Sequence, residues 1–354
     1  MNLFDYASAP MISQIAEMLD DGLIIADNKG TILSVNDAAV RFLGQNLVGQ
    51  NIVDVVIHDD IARIFALVAE ARNSQEMVYK STDTVSTEFA LRLKPLDDNM
   101  IALLFLDMTL QRNLENVRRD FVANVSHELR SPLTSLSGFI ETMINGDVTD
   151  EAMQLRFLNI MDEESKRMTR LIDDLLSLSR VEVYEHIIPE DDVSVLAMIN
   201  AVCDTLAGKA KSRNIQIAVR DNRPDQTKTP RILGSYDELT EVFVNLVENA
   251  IKYGYEESPI VIKLTEPMPS QLQIDVINQG EGIAKQHLSR ITERFYRVDK
   301  ARSRQIGGTG LGLAIVKHIL NRHRGSMSVA SVPGESTTFT VTLPLLQSVS
   351  TFYE

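Results

Sequence analysis

The chain has one cysteine, Cys203, among its 354 residues. A lone thiol forms no intrachain disulfide, and no Cys/His cluster has zinc-ligand spacing, so neither device organises the fold. Cys203 reads as a small buried hydrophobe in a reducing compartment. Long apolar runs are missing as well. The longest, Met100 to Leu106, falls far short of the roughly 20 residues that span a bilayer. The amino terminus has no basic region of a secretory signal. No membrane span is expected, and the expected location is the cytoplasm, with membrane association if the natural chain is longer. Positive charge is scarce: 35 Lys and Arg stand against 49 Asp and Glu, a formal net charge of -14. Such a surface repels phosphate backbones and anionic membranes, which argues against nucleic acid and leaves small ligands or proteins as partners.

At roughly 100 to 200 residues per domain, the length suggests two or three domains, and the pattern changes twice. Up to about Thr109, short strands mix with short helices. LIIADNKGTILSVN is an apolar strand, an Asp-Asn-Lys-Gly turn and a second strand, the chemistry of a hairpin. TEFALRLKPL and NMIALLFLDM are two more strands around Asp97, Asp98 and Asn99. An antiparallel sheet with helices on one side is expected. From Leu110 the period becomes helical. Leu110, Leu114, Val117, Phe121, Val125, Leu129, Leu133, Leu136, Ile140 and Met143 form one stripe at steps of three and four. Asn145-Gly146-Asp147 breaks the helix, and Leu158, Met161, Met168, Ile172 and Leu175 mark a second. One hairpin cannot bury both stripes, so a dimeric four-helix bundle, and hence a homodimer, is expected.

His127 lies two residues from Val125 and from Leu129, roughly 200 degrees around the helix from each. It faces solvent on a polar line of Asp120, Asn124, His127, Ser131 and Thr134. Pro132 removes a backbone hydrogen bond at the Glu128 carbonyl, a cost of about 3 kcal/mol unless something favours it. An exposed histidine is ordinarily just solvated, and this stretch alone establishes no reaction.

From about Ile187 helices and strands alternate, as in an α/β sandwich whose mixed sheet is covered by helices on one face. On SYDELTEVFVNLVENAIKYG, Asn245 and Asn249 share a face with Lys252 and Tyr253, while Leu239, Val242, Phe243, Leu246, Val247 and Ile251 pack behind. Amide oxygens suit a Mg2+ that phosphates largely neutralise, and a lysine adds a point charge for those phosphates. GGTGLGLAIVKHIL places Gly308, Gly310 and Gly312 at a helix start, where backbone N–H groups can meet an anion. Gly280-Glu281-Gly282-Ile283 lies between the two.

In this order the motifs resemble those of a sensor histidine kinase of a two-component system, and the resemblance covers nearly the whole chain. Asp27, Gly30, Ile32, Asn36 and Ala38, with the exit Asp107-Met108-Thr109, resemble a PAS sensor domain. FVANVSHELRSPL is similar to the phosphoacceptor box, NLVENAIKYG to the N box, NQGEGI to the first glycine box, ERFYR to the F box and GGTGLGLAIV to the second glycine box. The domain plan most resembles the phosphate-regulon sensor group. It implies a multidomain α+β protein: a PAS sheet over 1–109, a dimerisation and histidine-phosphotransfer hairpin over 110–185, and a Bergerat-type α/β-sandwich ATP-binding domain over 186–354. His58 alone is weak evidence for haem, and no PAS cofactor is expected.

The resemblance implies ATP-dependent phosphorylation of His127, with Glu128 as general base or orienting partner, followed by transfer to an aspartate of a response-regulator receiver domain. Ser131 stands where the family more often has threonine or asparagine, which leaves phosphatase strength open. Asn249 would hold Mg2+ with support from Asn245, Lys252 would contact phosphate, and Tyr253 would line the nucleotide pocket. Gly280, Gly282 and Ile283 would let the chain pass close to the nucleotide. Gly308, Thr309, Gly310, Leu311 and Gly312 would cradle phosphates, and Phe295 to Thr309 would form a mobile lid with Arg297 and Arg302 reaching them. Asn278 departs from the family aspartate that accepts from the adenine amino group. A kinase-deficient relative that binds or dephosphorylates a response regulator is the alternative this departure raises.

Overall fold

The computed structural model describes residues 14–80, 87–96, 99–146, 150–299 and 308–346, without the side chains of Leu114 and Arg118. Asp97, Asp98, Asp147 and Arg302 lie outside the described residues. The chain divides into two units, Met1–Ala123 and Asn124–Glu354.

The first unit holds β1 (Gly22–Asp27), β2 (Ile32–Val35), α1 (Asp37–Leu43), α2 (Ile52–Val55), α3 (Ile61–Ala71), β3 (Gln75–Lys80), β4 (Glu88–Pro95) and β5 (Met100–Asp107). The strands form one antiparallel sheet in the order β2-β1-β5-β4-β3. The β1–β2 turn closes because the Asp27 carboxylate accepts from the N–H groups of Lys29 and Thr31, at 2.9 and 2.8 Å. Asn36 caps α1 by accepting from Ala39 N–H, and its amide also ties down Leu23, Ala16 and Asp21. Ile24, Ile32, Phe65, Leu91, Phe89 and Phe105 fill the core. His58 Nδ1 accepts from Asp60 N–H within its own turn.

Helix α4 (Thr109–Ile144) carries His127 and runs unbroken through Pro132. It is followed by α5 (Glu151–Tyr184), capped where Asp150 accepts from Met153 N–H at 3.1 Å. The hairpin is pinned by Phe139 against Phe157, their rings 4.9 Å apart. Leu133, Ile140, Leu158, Ile172 and Leu176 stay exposed on the single chain. Apolar side chains at that density on a water-facing helix pair are the mark of a surface that another element covers.

The remainder comprises β6 (Asp192–Ser194), α6 (Val195–Lys211), β7 (Ile217–Asp221), β8 (Arg231–Leu233), α7 (Tyr236–Tyr253), β9 (Ile260–Met268), β10 (Gln271–Gln279), α8 (Lys285–Leu288), α9 (Gly312–Arg322), β11 (Ser326–Val332) and β12 (Ser336–Pro344). Five strands in the order β11-β12-β10-β9-β7 form a mixed sheet, parallel only between β7 and β9. Helices α6, α7 and α9 pack with it. The apolar stripe of α7 is buried from Leu239 to Ile251, and Phe243 at its centre is fully enclosed. Burying one such side chain contributes about 1.5–3 kcal/mol. Cys203 on α6 departs from expectation: it is half-buried, beside buried Val202 and exposed Asp204 at the margin of the helix's apolar stripe, and partial burial pushes its thiol pKa up.

Candidate functional site

The asparagine-bearing helix and the two glycine-rich segments, spread over nearly 70 residues, converge through backbone contacts that only small residues permit. A Cβ on Gly312 would run into Asn245 Oδ1, so the second glycine box and the N-box helix α7 meet there. Asn245 turns its Nδ2 back to the Glu241 carbonyl at 3.0 Å, which leaves the amide oxygen toward Gly312. Gly280 pairs with Gly254 as an isolated bridge and lies against the Tyr253 carbonyl, which fixes the first glycine box at the end of α7. Gly282 adopts φ +70, and a Cβ on it would lie 2.6 Å from the Val332 carbonyl oxygen, while Ile283 N–H donates to Ser331 Oγ at 2.9 Å.

The F box docks on the second glycine box. Phe295 N–H donates to the Gly310 carbonyl at 2.8 Å, and a Cβ on Gly310 would lie 3.0 Å from the Phe295 backbone. Gly310 adopts φ +77, a region glycine enters without cost, so two independent constraints require it. Helix α9 then begins at Gly312 with no side-chain cap at Leu311, leaving its first N–H groups available to an anion. Gly308 and Thr309 lead into it half-buried, and Thr309 Oγ1 accepts from Leu311 N–H. Arg302, expected in the lid, lies outside the described residues.

Asn278 sits on the helix-covered face of β10 and is 4% exposed. Its Nδ2 points to the Gln279 carbonyl at 3.4 Å, so its Oδ1 is the atom offered as an acceptor. Asp275, three residues earlier, lies on the other face of the strand and accepts from Thr340 and Gln273. Across the ladder from Asn278 is buried Thr337, bonded to Ser331. Asn249 and Lys252 are half-buried and Tyr253 is exposed. Lys252 is paired with Glu248 at 3.2 Å; burial raises the Glu248 pKa, but Lys209 and Lys252 outweigh it and hold the carboxyl below its usual range.

His127 and Ser131 are exposed on α4. Glu128, beside His127, accepts from Arg167 of α5 at 2.9 Å and from Arg297 of the F-box segment at 3.3 Å, both on Oε2. In the absence of nucleotide the Arg297 guanidinium pairs with Glu128 through Nη2. The reason is physical, because its side chain is 6% exposed and a buried cation needs an anion. Burial also lowers the Arg297 pKa, with Arg167 adding to the effect.

Sequence reasoning missed the second half of this contact. Thr309 donates to Asp174 at 2.6 Å, Ser177 donates to Glu241 at 2.7 Å, and Glu185 accepts from His318 and Asn321. Burial pushes the carboxyls of Asp174 and Glu241 up. The signal was present: Arg167, Leu171, Asp174, Leu178, Val181 and Glu185 recur on α5 at steps of four and three, one position off the stripe first noticed. Leu171, Leu178 and Val181 of that line are buried, and α5 packs on α9.

Three family models match: the His Kinase A (phospho-acceptor) domain over 117–183, the histidine kinase-, DNA gyrase B- and HSP90-like ATPase over 234–347, and the PAS fold over 11–105. The phosphate regulon sensor protein PhoR of Pseudomonas aeruginosa is 34% identical over 332 residues, covering 93% of this chain and 73% of that protein. The chain belongs to the sensor histidine kinases of two-component systems. The sensor protein kinase WalK of Staphylococcus aureus is 33% identical, covering 94% of this kinase and 80% of that one. The fold resembles that of histidine kinase ThkA, solved in complex with response regulator protein TrrA, at 21% identity and TM-score 0.52, over 94% of this chain and 98% of that one. This protein is thus a histidine kinase with PAS, phospho-acceptor and ATP-binding domains, and these relatives do not favour the kinase-deficient alternative. No described helix is long and apolar enough to cross a membrane.

Proposed function

We propose that the kinase phosphorylates its own His127 from Mg-ATP and passes the phosphoryl group to an aspartate of a response-regulator receiver domain. The observation that supports this most is the Glu128 contact: the residue next in sequence to His127 is bonded to Arg297 of the ATP-binding domain, which brings that domain against the phosphoacceptor helix. Domain limits follow the pattern changes: 1–109, 110–185 and 186–354. The exposed apolar stripes of the hairpin support a homodimer through a four-helix bundle.

The residues fit a nucleotide and its metal. Asn249 offers a hard amide oxygen on the face shared with Asn245, and α9 offers uncapped N–H groups for phosphate. Bound Mg2+ would neutralise part of the charge on the transferring group. Asn278 Oδ1 would accept from the adenine amino group, Tyr253 would line the base, and Gly280, Gly282 and Ile283 would shape the floor. Gly308, Thr309, Gly310, Leu311 and Gly312 would hold the phosphates, with Lys252, Arg297 and Arg302 as cations.

In the reaction, one ring nitrogen of neutral His127 attacks the γ-phosphorus, the bond from that phosphorus to the ADP oxygen breaks, and the N–H proton on the other nitrogen passes to Glu128. Transfer then breaks the P–N bond as a receiver carboxylate attacks, and the proton returns to the ring. Ser131, one turn on, would orient a water that attacks the receiver's aspartyl phosphate, releasing inorganic phosphate and the free carboxylate. Positioning and charge stabilisation supply most of the rate. Incubation with labelled ATP and Mg2+ tests the reading: acid-labile label on wild type that disappears in His127→Ala supports it, and its absence from wild type overturns it.

A further inference from the structure

Two arginines on one carboxylate oxygen is more cation than a single glutamate requires. Arg297 Nε is buried and has no hydrogen-bond partner among the described residues, so its satisfaction at Glu128 is incomplete. Burial, with the nearby Arg167 charge, lowers its pKa against the opposing pull of Glu128. It is therefore the partner most readily drawn away by a phosphate, whose oxygens offer a bidentate match to the guanidinium fork. Arg167 differs. It belongs to the hairpin itself, where its Nη2 reaches Glu128 on α4 and its Nη1 lies 3.6 Å from Glu164 on its own helix. Its hold on Glu128 does not depend on the ATP-binding domain's position, and it takes only Oε2.

We propose that Arg167 is a positioning residue for phosphorylation of His127: from α5 it grips Glu128 Oε2, leaving Oε1 to accept the His127 ring proton once Arg297 has moved to the nucleotide phosphates. The assignment rests on the autophosphorylation reading above. It places a necessary group on the hairpin's second helix, outside the phosphoacceptor box and outside every nucleotide motif. Arg167 touches neither ATP nor the ring and acts through the orientation of one carboxylate.

The test uses the full chain and initial rates of label incorporation at varied ATP. Arg167→Ala is expected to phosphorylate roughly tenfold more slowly at saturating ATP, with KM for ATP unchanged, and Arg167→Lys is expected to recover part of the loss. A purely structural role is separated by the double variant: Glu128→Gln with Arg167→Ala should be no slower than Glu128→Gln alone. Losses that multiply in the double variant overturn the assignment, as does an Arg167→Ala protein as fast as wild type. A faster Arg167→Ala protein also overturns it, making the pair a restraint instead. A wild type that takes no label overturns the autophosphorylation reading and this assignment with it, whereas label on wild type with no effect of Arg167 overturns the assignment alone. Circular dichroism of Arg167→Lys, which keeps charge and stem, checks the fold.

Discussion

Replacing Asn278 by aspartate should make the empty protein less stable and the nucleotide complex tighter, two effects of opposite sign from one atom exchange. The amide is 4% exposed and gives a hydrogen to the Gln279 carbonyl. Asn278→Asp removes that donor and sets a buried carboxylate beside the carbonyl, a cost of about 1–3 kcal/mol without ligand. For a domain of this size that is a melting point lower by roughly 2–12 °C. With ATP bound, a charged acceptor replaces a neutral one toward the adenine amino group, a gain of roughly 1 kcal/mol or about fivefold in Kd. Calorimetric melting of the ligand-free protein and titration with a non-hydrolysable ATP analogue read the two quantities separately. Unchanged or weaker nucleotide binding would refute the placement of Asn278 at the adenine, and an unchanged melting point would refute its burial as the source of the cost.

Three further outcomes follow from the geometry. Gly310→Ala should lose about 1–2 kcal/mol, because φ +77 and the 3.0 Å approach to Phe295 both resist a Cβ, and nucleotide titration should weaken as the F box shifts; an unchanged melt would contradict this. His323, 2% exposed, accepts from Ser235 N–H at the start of α7, and burial lowers its pKa. Below the unfolded value of about 6.5 the unfolded chain binds a proton that the folded ring resists, so stability falls as pH drops, by up to about 1.4 kcal/mol per pH unit. In chemical denaturation between pH 7.5 and 5, His323→Gln should show a shallower fall. Leu133→Glu with Ile172→Glu should shift sedimentation from dimer to monomer, and an unaltered dimer would remove these side chains from the interface.

Much of this was legible in the chain because local pattern carries it. The α7 stripe from Leu239 to Ile251 and the glycines around Gly310 announce themselves by spacing, and Gly310 and Gly312 prove to be where another backbone or side chain crowds in. What stayed hidden was what depends on partners distant in sequence. That Arg297 pairs with Glu128 could not be read from the chain, because the two lie 169 residues apart. The line of Arg167, Leu171, Asp174, Leu178, Val181 and Glu185 is harder to read because half of it is charged, so it resembles a solvated face beside the more hydrophobic stripe. Cys203 was misjudged by residue type, whereas its position at the edge of the α6 stripe decides its exposure.

The central claim is that His127 receives a phosphoryl group from ATP held at Asn249 and the glycine boxes. Mass spectrometry of tryptic peptides under neutral conditions, after incubation with Mg-ATP, tests it most directly. A phosphate on His127 that is absent from Asn249→Ala protein is the expected result; a phosphate on another residue, or one on His127 that persists without Asn249, would contradict it.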